Sequence, residues 1–340
     1  MKTRILACVG LILWLCAAEA QTYRNLVFEG AGIRGIAYTG AVEELEARGI
    51  LSGIERYGGT SAGAIIGVTL ALGYDAQEIR RILRETEFQR FNDGGGLLLG
   101  GLFRLLRRYG WYRSERFDRW LADLIVAKSG DPDLSFQQLH ALTGKDLYVV
   151  GTNLTQQRME VFSRETHPHM RLRDAVRISM SIPLYFEAPF VDAQGRVYRQ
   201  PPPDRPVDVI VDGGIIGNYP IQLFDRVDTV QGLPQRRVNP ATLGVKIDTD
   251  EQIAYQRQGK GLHPQEIHNL RQYIEAFYIF TLENLNSVPL QPQDWQRTIL
   301  LSSAGVGPKI KRLSDQEVNA LVSSGRAGVK HYFEEVESAR

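Results

Sequence analysis

Residues 54–72 read IERYGGTSAGAIIGVTLAL. A short strand over 54–57 passes through glycines into a long apolar helix, which the sequence places at 64–72. The same arrangement stands upstream. Residues 25–29 (NLVFE) form a strand, residues 30–35 (GAGIRG) a turn, and residues 36–48 a helix with Ala37, Gly40, Ala41 and Leu45 at helical spacing. Gly49 then supplies the stop. Two strand–glycine turn–helix units in succession predict an α/β fold, with a mostly parallel central sheet flanked by helices.

Further along, a helix is expected over 75–88 with Asp75 as its cap, and another over 114–127 capped by Ser114. Strands are expected at 147–153, 159–162, 207–211, 243–247 and 297–301. Helices fall at 171–181, 267–285 and 315–333, the first of them stopping ahead of Pro183. Residues 199–206 (RQPPPDRP) hold four prolines and read as an irregular surface excursion. With no internal repeat and no second-domain boundary, residues 21–340 read as one domain.

The chain has 340 residues, a formal charge of +1, 43% hydrophobic and 23% charged residues. That composition excludes a disordered or collagen-like chain and a polytopic membrane protein. The charge balance argues against nucleic acid as a partner, since neutralising phosphates takes an excess of Lys and Arg.

Residues 1–20 stand apart. Lys2 and Arg4 precede an apolar run from Ile5 to Cys16, and Ala18-Glu19-Ala20 follows. This is the pattern of a secretory signal cut near Ala20, with a run too short for a membrane span. The protein is therefore expected to be exported, secreted or retained in the periplasm or cell envelope. Cys8 and Cys16 are the only cysteines and leave with the signal. The mature chain has no disulfide and no thiol nucleophile, and its stability must come from its core.

Three glycine-flanked sites carry the chemistry. Gly59-Thr60-Ser61-Ala62-Gly63 sets a serine on a sharp strand-to-helix turn, with neighbours small enough to admit an acyl group. Its bland counterpart is a tight packing turn. The 30–35 run offers backbone N–H groups at the head of a helix, fit to cradle a phosphate or an oxyanion, with Arg34 as a nearby cation. It has neither G-x-G-x-x-G spacing nor a Gly-Lys-Ser/Thr ending, and it could equally be a simple connection. Asp212-Gly213-Gly214 ends a strand, and the parallel-sheet rule points Asp212 toward the rim that carries Ser61. An Asx turn is the plain alternative.

A serine in this setting first suggests an α/β-hydrolase with serine, acid and histidine in that order. Only about one βαβ unit precedes Ser61, too little for that fold. None of the six histidines follows a strand in a small-residue turn.

The chain resembles the patatin-like phospholipases. Gly30-Ala31-Gly32-Ile33-Arg34-Gly35 is similar to the family's G-G-G-x-[RK]-G, and Gly59-Thr60-Ser61-Ala62-Gly63 to its G-T-S-A-G. Residues 179–186 (SMSIPLYF) resemble S-x-S/A-x-P-x-x-F, and Asp212-Gly213-Gly214 with Asn218-Tyr219-Pro220 resembles D-G-G-x-x-x-N-x-P. The four pieces stand in family order over residues 24–226. The resemblance implies a Ser61–Asp212 dyad without histidine, working through an acyl-enzyme, with no metal or other cofactor. Gly30, Ala31, Gly32 and the neighbouring N–H groups up to Arg34 and Gly35 would form the oxyanion hole. Gly59 and Gly63 would shape the nucleophile turn, and Gly213 and Gly214 the acid turn. Asp212 should then be buried beside Ser61, because a carboxylate is a poor base for an alcohol unless its pKa is raised. Ala31 departs from the family glycine. Alanine at φ > 0 costs about 1–2 kcal/mol, so residue 31 is expected at ordinary dihedrals.

The implied substrate is a phospholipid or another acyl lipid, met at a membrane surface. Residues 97–111 join apolar Leu98, Phe103, Leu106 and Trp111 to a cluster of arginines, a composition suited to an interface. The competing picture is a helix packed over the core with its arginines in solvent. Two other functions share the sequence: a soluble esterase or thioesterase, and a silent lipid-binding protein on the same fold.

Overall fold

The computed structural model describes residues 22–338 apart from 95–97, 231, 259, 261–262, 265, 271, 274–275, 278–289 and 308–310. The leader expected at 1–20 and much of the helix expected at 267–285 lie outside the described residues.

Strands β1 (Asn25–Phe28), β2 (Arg56–Gly59), β3 (Gly110–Tyr112), β4 (Asp146–Asn153) and β5 (Arg158–Phe162) come first, then β6 (Leu184–Phe186), β7 (Phe190–Val191), β8 (Val197–Tyr198) and β9 (Asp208–Asp212). A hairpin of β10 (Arg226–Val230) and β11 (Leu233–Arg237) precedes β12 (Thr242–Asp248) and β13 (Thr298–Ser302). The central sheet is nine-stranded, ordered β13-β12-β1-β2-β4-β9-β7-β8, with β5 also on β4. From β13 to β4 every pairing is parallel. β1 and β12 are buried along their whole length, as strands covered on both faces must be, and are mainly apolar, with Lys246 and Asp248 the charged exceptions in β12.

Beyond β4 the sheet turns antiparallel, which corrects the parallel-rim placement of Asp212. β9 runs against β4, with Asp212 opposite Gly151. β2 runs with β4, with Gly59 opposite Val149. β5 pairs with Val149 through Asn153 of β4, overlapping the partners of both β2 and β9, so it holds the other edge. β2 and β9 therefore share one edge of β4 and meet head to head across Val150. Ser61 and Asp212 still leave the carboxyl ends of their strands, but from opposite directions.

The Ala62–Ala71 helix is buried at every position, which explains its lack of a polar face. Helix Ala37–Ala47 crosses helix Asp315–Ser338 at very close range. A Cβ on Gly40 would stand 1.8 Å from the Val322 carbonyl oxygen, and one on Gly325 2.0 Å from that of Ala37.

Asp75 caps its helix reciprocally: it accepts from the Glu78 N–H at 2.7 Å, and Glu78 accepts from the Asp75 N–H at 3.0 Å. Ser114 does not cap. It sits at φ 57° without a cap hydrogen bond, and the Asp93 carboxylate takes the Arg116 N–H at 2.9 Å instead. The 199–206 segment is irregular and mostly exposed. Among the described residues no helix is long and apolar enough to cross a membrane.

Candidate active site

β2 delivers the chain to Ser61 at φ 52°, ψ −120°, a conformation costing a non-glycine residue about 1–3 kcal/mol. The surroundings hold it there. A Cβ on Gly59 would lie 2.4 Å from the Gly63 carbonyl carbon, and one on Gly63 2.4 Å from the Phe28 oxygen. Only glycines permit so tight a turn against β1. The Ser61 N–H donates to Ser179 Oγ at 2.9 Å, and the Ser179 hydroxyl donates to the Val150 carbonyl at 2.6 Å. Ser179 thus fills the gap between the two strand ends. Thr60 Oγ1 ties the turn to the Gly217 carbonyl at 2.6 Å.

Asp212 is fixed just as firmly. Its N–H donates to the Ser181 carbonyl at 3.0 Å, and its Oδ1 accepts the Gly214 N–H at 2.7 Å. Gly213 lies against the Val150 carbonyl, where a Cβ would stand 2.4 Å away. Asp212 is only 6% exposed. Burial pushes its pKa from 3.8 up to about 7, against the opposing pull of the Gly214 N–H and the Ser61 hydroxyl. The Ser61 hydroxyl also faces Met180 Sδ at 3.3 Å. Residues 179–181 are therefore a clamp: Ser179 holds the main chain of Ser61, Ser181 holds that of Asp212, and Met180 abuts the Ser61 oxygen.

The glycine loop divides its labour. The Gly30 N–H donates to the Asn218 carbonyl at 2.9 Å and is not available to an oxyanion. Gly30 is there for space, since a Cβ would meet Asn218 Oδ1 at 2.4 Å. Ala31 takes φ −134°, an ordinary value. Gly32 takes φ +56°, where alanine would be strained. Among the described residues the N–H groups of Ala31, Gly32 and Ile33 have no acceptor. Arg34 turns back on its own loop, Nε donating to the Ala31 carbonyl at 3.2 Å. Gly35 lets the loop approach the serine turn, its would-be Cβ 2.9 Å from that of Ala62.

Behind this loop lies a buried ionic network that sequence reasoning missed. Glu29, just ahead of Gly30, accepts from Lys246 Nζ at 2.9 Å and from the Ile247 N–H at 2.9 Å. Lys246 also pairs with Asp248 at 2.9 Å. The Tyr38 hydroxyl donates to the Glu29 carbonyl at 2.6 Å. Strand β12 thereby braces the loop. The only sequence signal was a lysine between two apolar residues of a buried strand.

Among the described residues no hydrogen bond of Ser61 or Asp212 reaches a histidine. Among the described residues no three His, Cys, Asp or Glu side chains converge as metal ligands. The arrangement supplies a strained serine, a buried carboxylate that titrates near neutrality, and unpaired N–H donors close by. Those are the parts needed for acyl transfer.

The 97–111 segment departs from the picture of a helix packed over the core with its arginines in solvent. It forms helix Leu98–Arg108, with Phe103 and Leu106 exposed and Trp111 partly covered, packed on Gly101. The Leu98 side chain lies outside the described residues. Arg104 is buried rather than solvated.

The sequence model of one protein family, described as patatin-like phospholipase, matches residues 26–225. Among curated proteins, the uncharacterized protein YqhO of Bacillus subtilis is 32% identical over 216 residues, covering 60% of this chain and 67% of that protein. A probable lipid hydrolase, 463L of Invertebrate iridescent virus 6, is 26% identical over 211 residues, covering 60% and 64%. Among solved structures, VipD from Legionella pneumophila superposes with a TM-score of 0.59 at 16% identity, over 93% of this chain and 67% of that one. The chain thus spans about two thirds of the length of these relatives.

Proposed function

The chain belongs to the patatin-like phospholipase family, and on that premise we propose that it is an exported lipid acyl hydrolase of phospholipase A type, cleaving carboxylic esters of phospholipids through Ser61 and Asp212. The observation that carries this reading is the head-to-head meeting of β2 and β9 on β4, which sets a strained serine beside a buried carboxylate of pKa about 7.

In the reaction, Ser61 Oγ attacks the acyl carbonyl while its proton passes to Asp212. The carbonyl oxygen, now negative, takes hydrogen bonds from the N–H groups of Ala31 and Gly32. Collapse breaks the ester bond, and the departing lysolipid alcohol takes the proton from Asp212. Water then attacks the acyl-enzyme, giving its proton to Asp212. The fatty acid leaves as Ser61 recovers its hydrogen. Each carboxylate step works because the buried Asp212 binds a proton far better than a solvated aspartate does.

A fluorophosphonate should label the chain on Ser61, and Ser61→Ala should abolish both labelling and turnover. Mass spectrometry of mixed lipids should show free fatty acid and lysolipid, absent with Asp212→Asn. Labelling without lipid turnover, but with cleavage of short soluble esters, would favour the esterase or thioesterase. No labelling at all would favour the silent binder.

A further inference from the structure

We propose that the outer face of helix Leu98–Arg108, together with Tyr109 and Leu184, is the surface by which this chain docks on an anionic lipid interface. The helix is inside-out. A helix laid on a protein in water turns its apolar stripe inward. Here Leu102, Phe103 and Leu106 are 47%, 56% and 71% exposed, and Leu184, paired with Gly110 just past the helix, is 69% exposed. The inward positions carry arginines instead. Arg104 donates through Nε to the Trp111 carbonyl at 3.0 Å and also bonds the Gly94 carbonyl. Arg108 pairs with the buried Glu187 at 3.2 Å and 3.3 Å. Guanidinium groups thus anchor the helix from beneath, and Leu102, Phe103 and Leu106 are left facing out.

Charge selects the occupant. Residues 94–114 include Arg104, Arg107, Arg108 and Arg113 and no acidic residue. With two arginines turned in, the outward charges are Arg107 and Arg113, both exposed. Arg107 lies 4.7 Å over the Phe103 ring, so cation and aromatic face the same side. Apolar side chains fringed by arginine suit acyl chains beneath anionic headgroups. They suit a second copy of this chain poorly, because a two-fold contact would set arginines against arginines.

Position links the surface to the chemistry. β3 and β6 pair Gly110 with Leu184, and Leu184, held at φ 66°, follows closely on Met180, whose sulfur is 3.3 Å from Ser61 Oγ. The docking face therefore borders the nucleophile. The inference deepens the lipid-hydrolase reading, on which its biological sense rests, and its test needs no turnover.

Flotation would use the Ser61→Ala chain with vesicles of phosphatidylcholine alone or with one third phosphatidylglycerol. Binding should favour the anionic vesicles and weaken with salt. Adding Phe103→Ser and Leu106→Ser should reduce it by about tenfold or more. Arg107→Gln should lower binding to the mixed vesicles more than to the neutral ones. Because these sites are exposed, melting curves should match the parent. As a check independent of affinity, Phe103→Trp should shift its emission to the blue on vesicle addition. Leu142→Trp, near the amino end of β4 and away from Ser61, should not. Undiminished binding by the double variant would overturn the proposal, as would a Phe103→Trp shift caused by self-association without vesicles. Vesicle binding by a wild type that cleaves no lipid would sink the hydrolase and spare this surface.

Discussion

In its proposed role Asp212 answers two opposed demands, since a base must be willing to take a proton and a buried charge is costly to keep. With its pKa near 7, kcat/KM should rise with unit slope as pH climbs toward 7 and then level off. A flat profile from pH 5 to 8 would contradict that assignment. Stability should move the other way. The folded value lies above the unfolded 3.8, so the stabilisation is complete below about 3.8 and is lost as pH rises through about 7. The full span is on the order of 4 kcal/mol. Asp212→Asn should therefore gain on wild type in thermal melts between pH 4 and pH 8, and a constant gap would refute the buried charge. Ser179 makes a different forecast. Ser179→Ala leaves the Ser61 N–H and the Val150 carbonyl without their partner, a loss of about 1–3 kcal/mol. Its kcat should fall more than its KM rises, because the serine turn and not the lipid contact is disturbed. Neither Ser179 nor the pairing of the Gly30 N–H with Asn218 is legible locally, as each partner lies far along the chain. The turns that carry Ser61 and Asp212 were legible because their glycines mark them.

At the scale of elements, legibility followed burial. β1, β2 and β12 are almost wholly buried strands closed by glycines or acids, and the sequence reads them within a residue or two. The β10–β11 hairpin is almost wholly exposed and gives no apolar signal. Helix Phe136–Thr143 did leave a signature, the Ser135–Gln138 capping box, which short length hid. Strand direction is a tertiary property, so residues 207–211 announced a strand but not that it runs against β4. The 98–108 helix shows the same limit: its composition gives the number of leucines, not the side they take. The crossing of helix Ala37–Ala47 with helix Asp315–Ser338 is open to a direct check. Gly40→Ala or Gly325→Ala drives a methyl into a carbonyl oxygen, so each should cost about 1–3 kcal/mol or more and lower Tm visibly. An unchanged Tm would mean that the helices do not touch there.

Across the whole molecule, the proposed catalytic parts gather between residues 30 and 218, yet the fold does not end there. β12 pairs with β1, and its Lys246 neutralises Glu29 beneath the glycine loop. A fragment stopping at Asp225, where the family match ends, should lack a cooperative melt and lose all labelling at Ser61; a two-state transition would show that β12 is dispensable. The proposed export is checked by the mass of the purified extracytoplasmic protein, which should begin at Gln21. The shared edge of β4 has one more consequence. Because Gly59 and Asp212 are registered on that strand at Val149 and Gly151, on either side of Val150, the interval between the proposed nucleophile and base is measured by a ruler that neither connecting segment touches. The proline-rich excursion at 199–206 can lengthen over evolutionary time, even to the size of a small module, without changing the spacing at which bonds are made and broken.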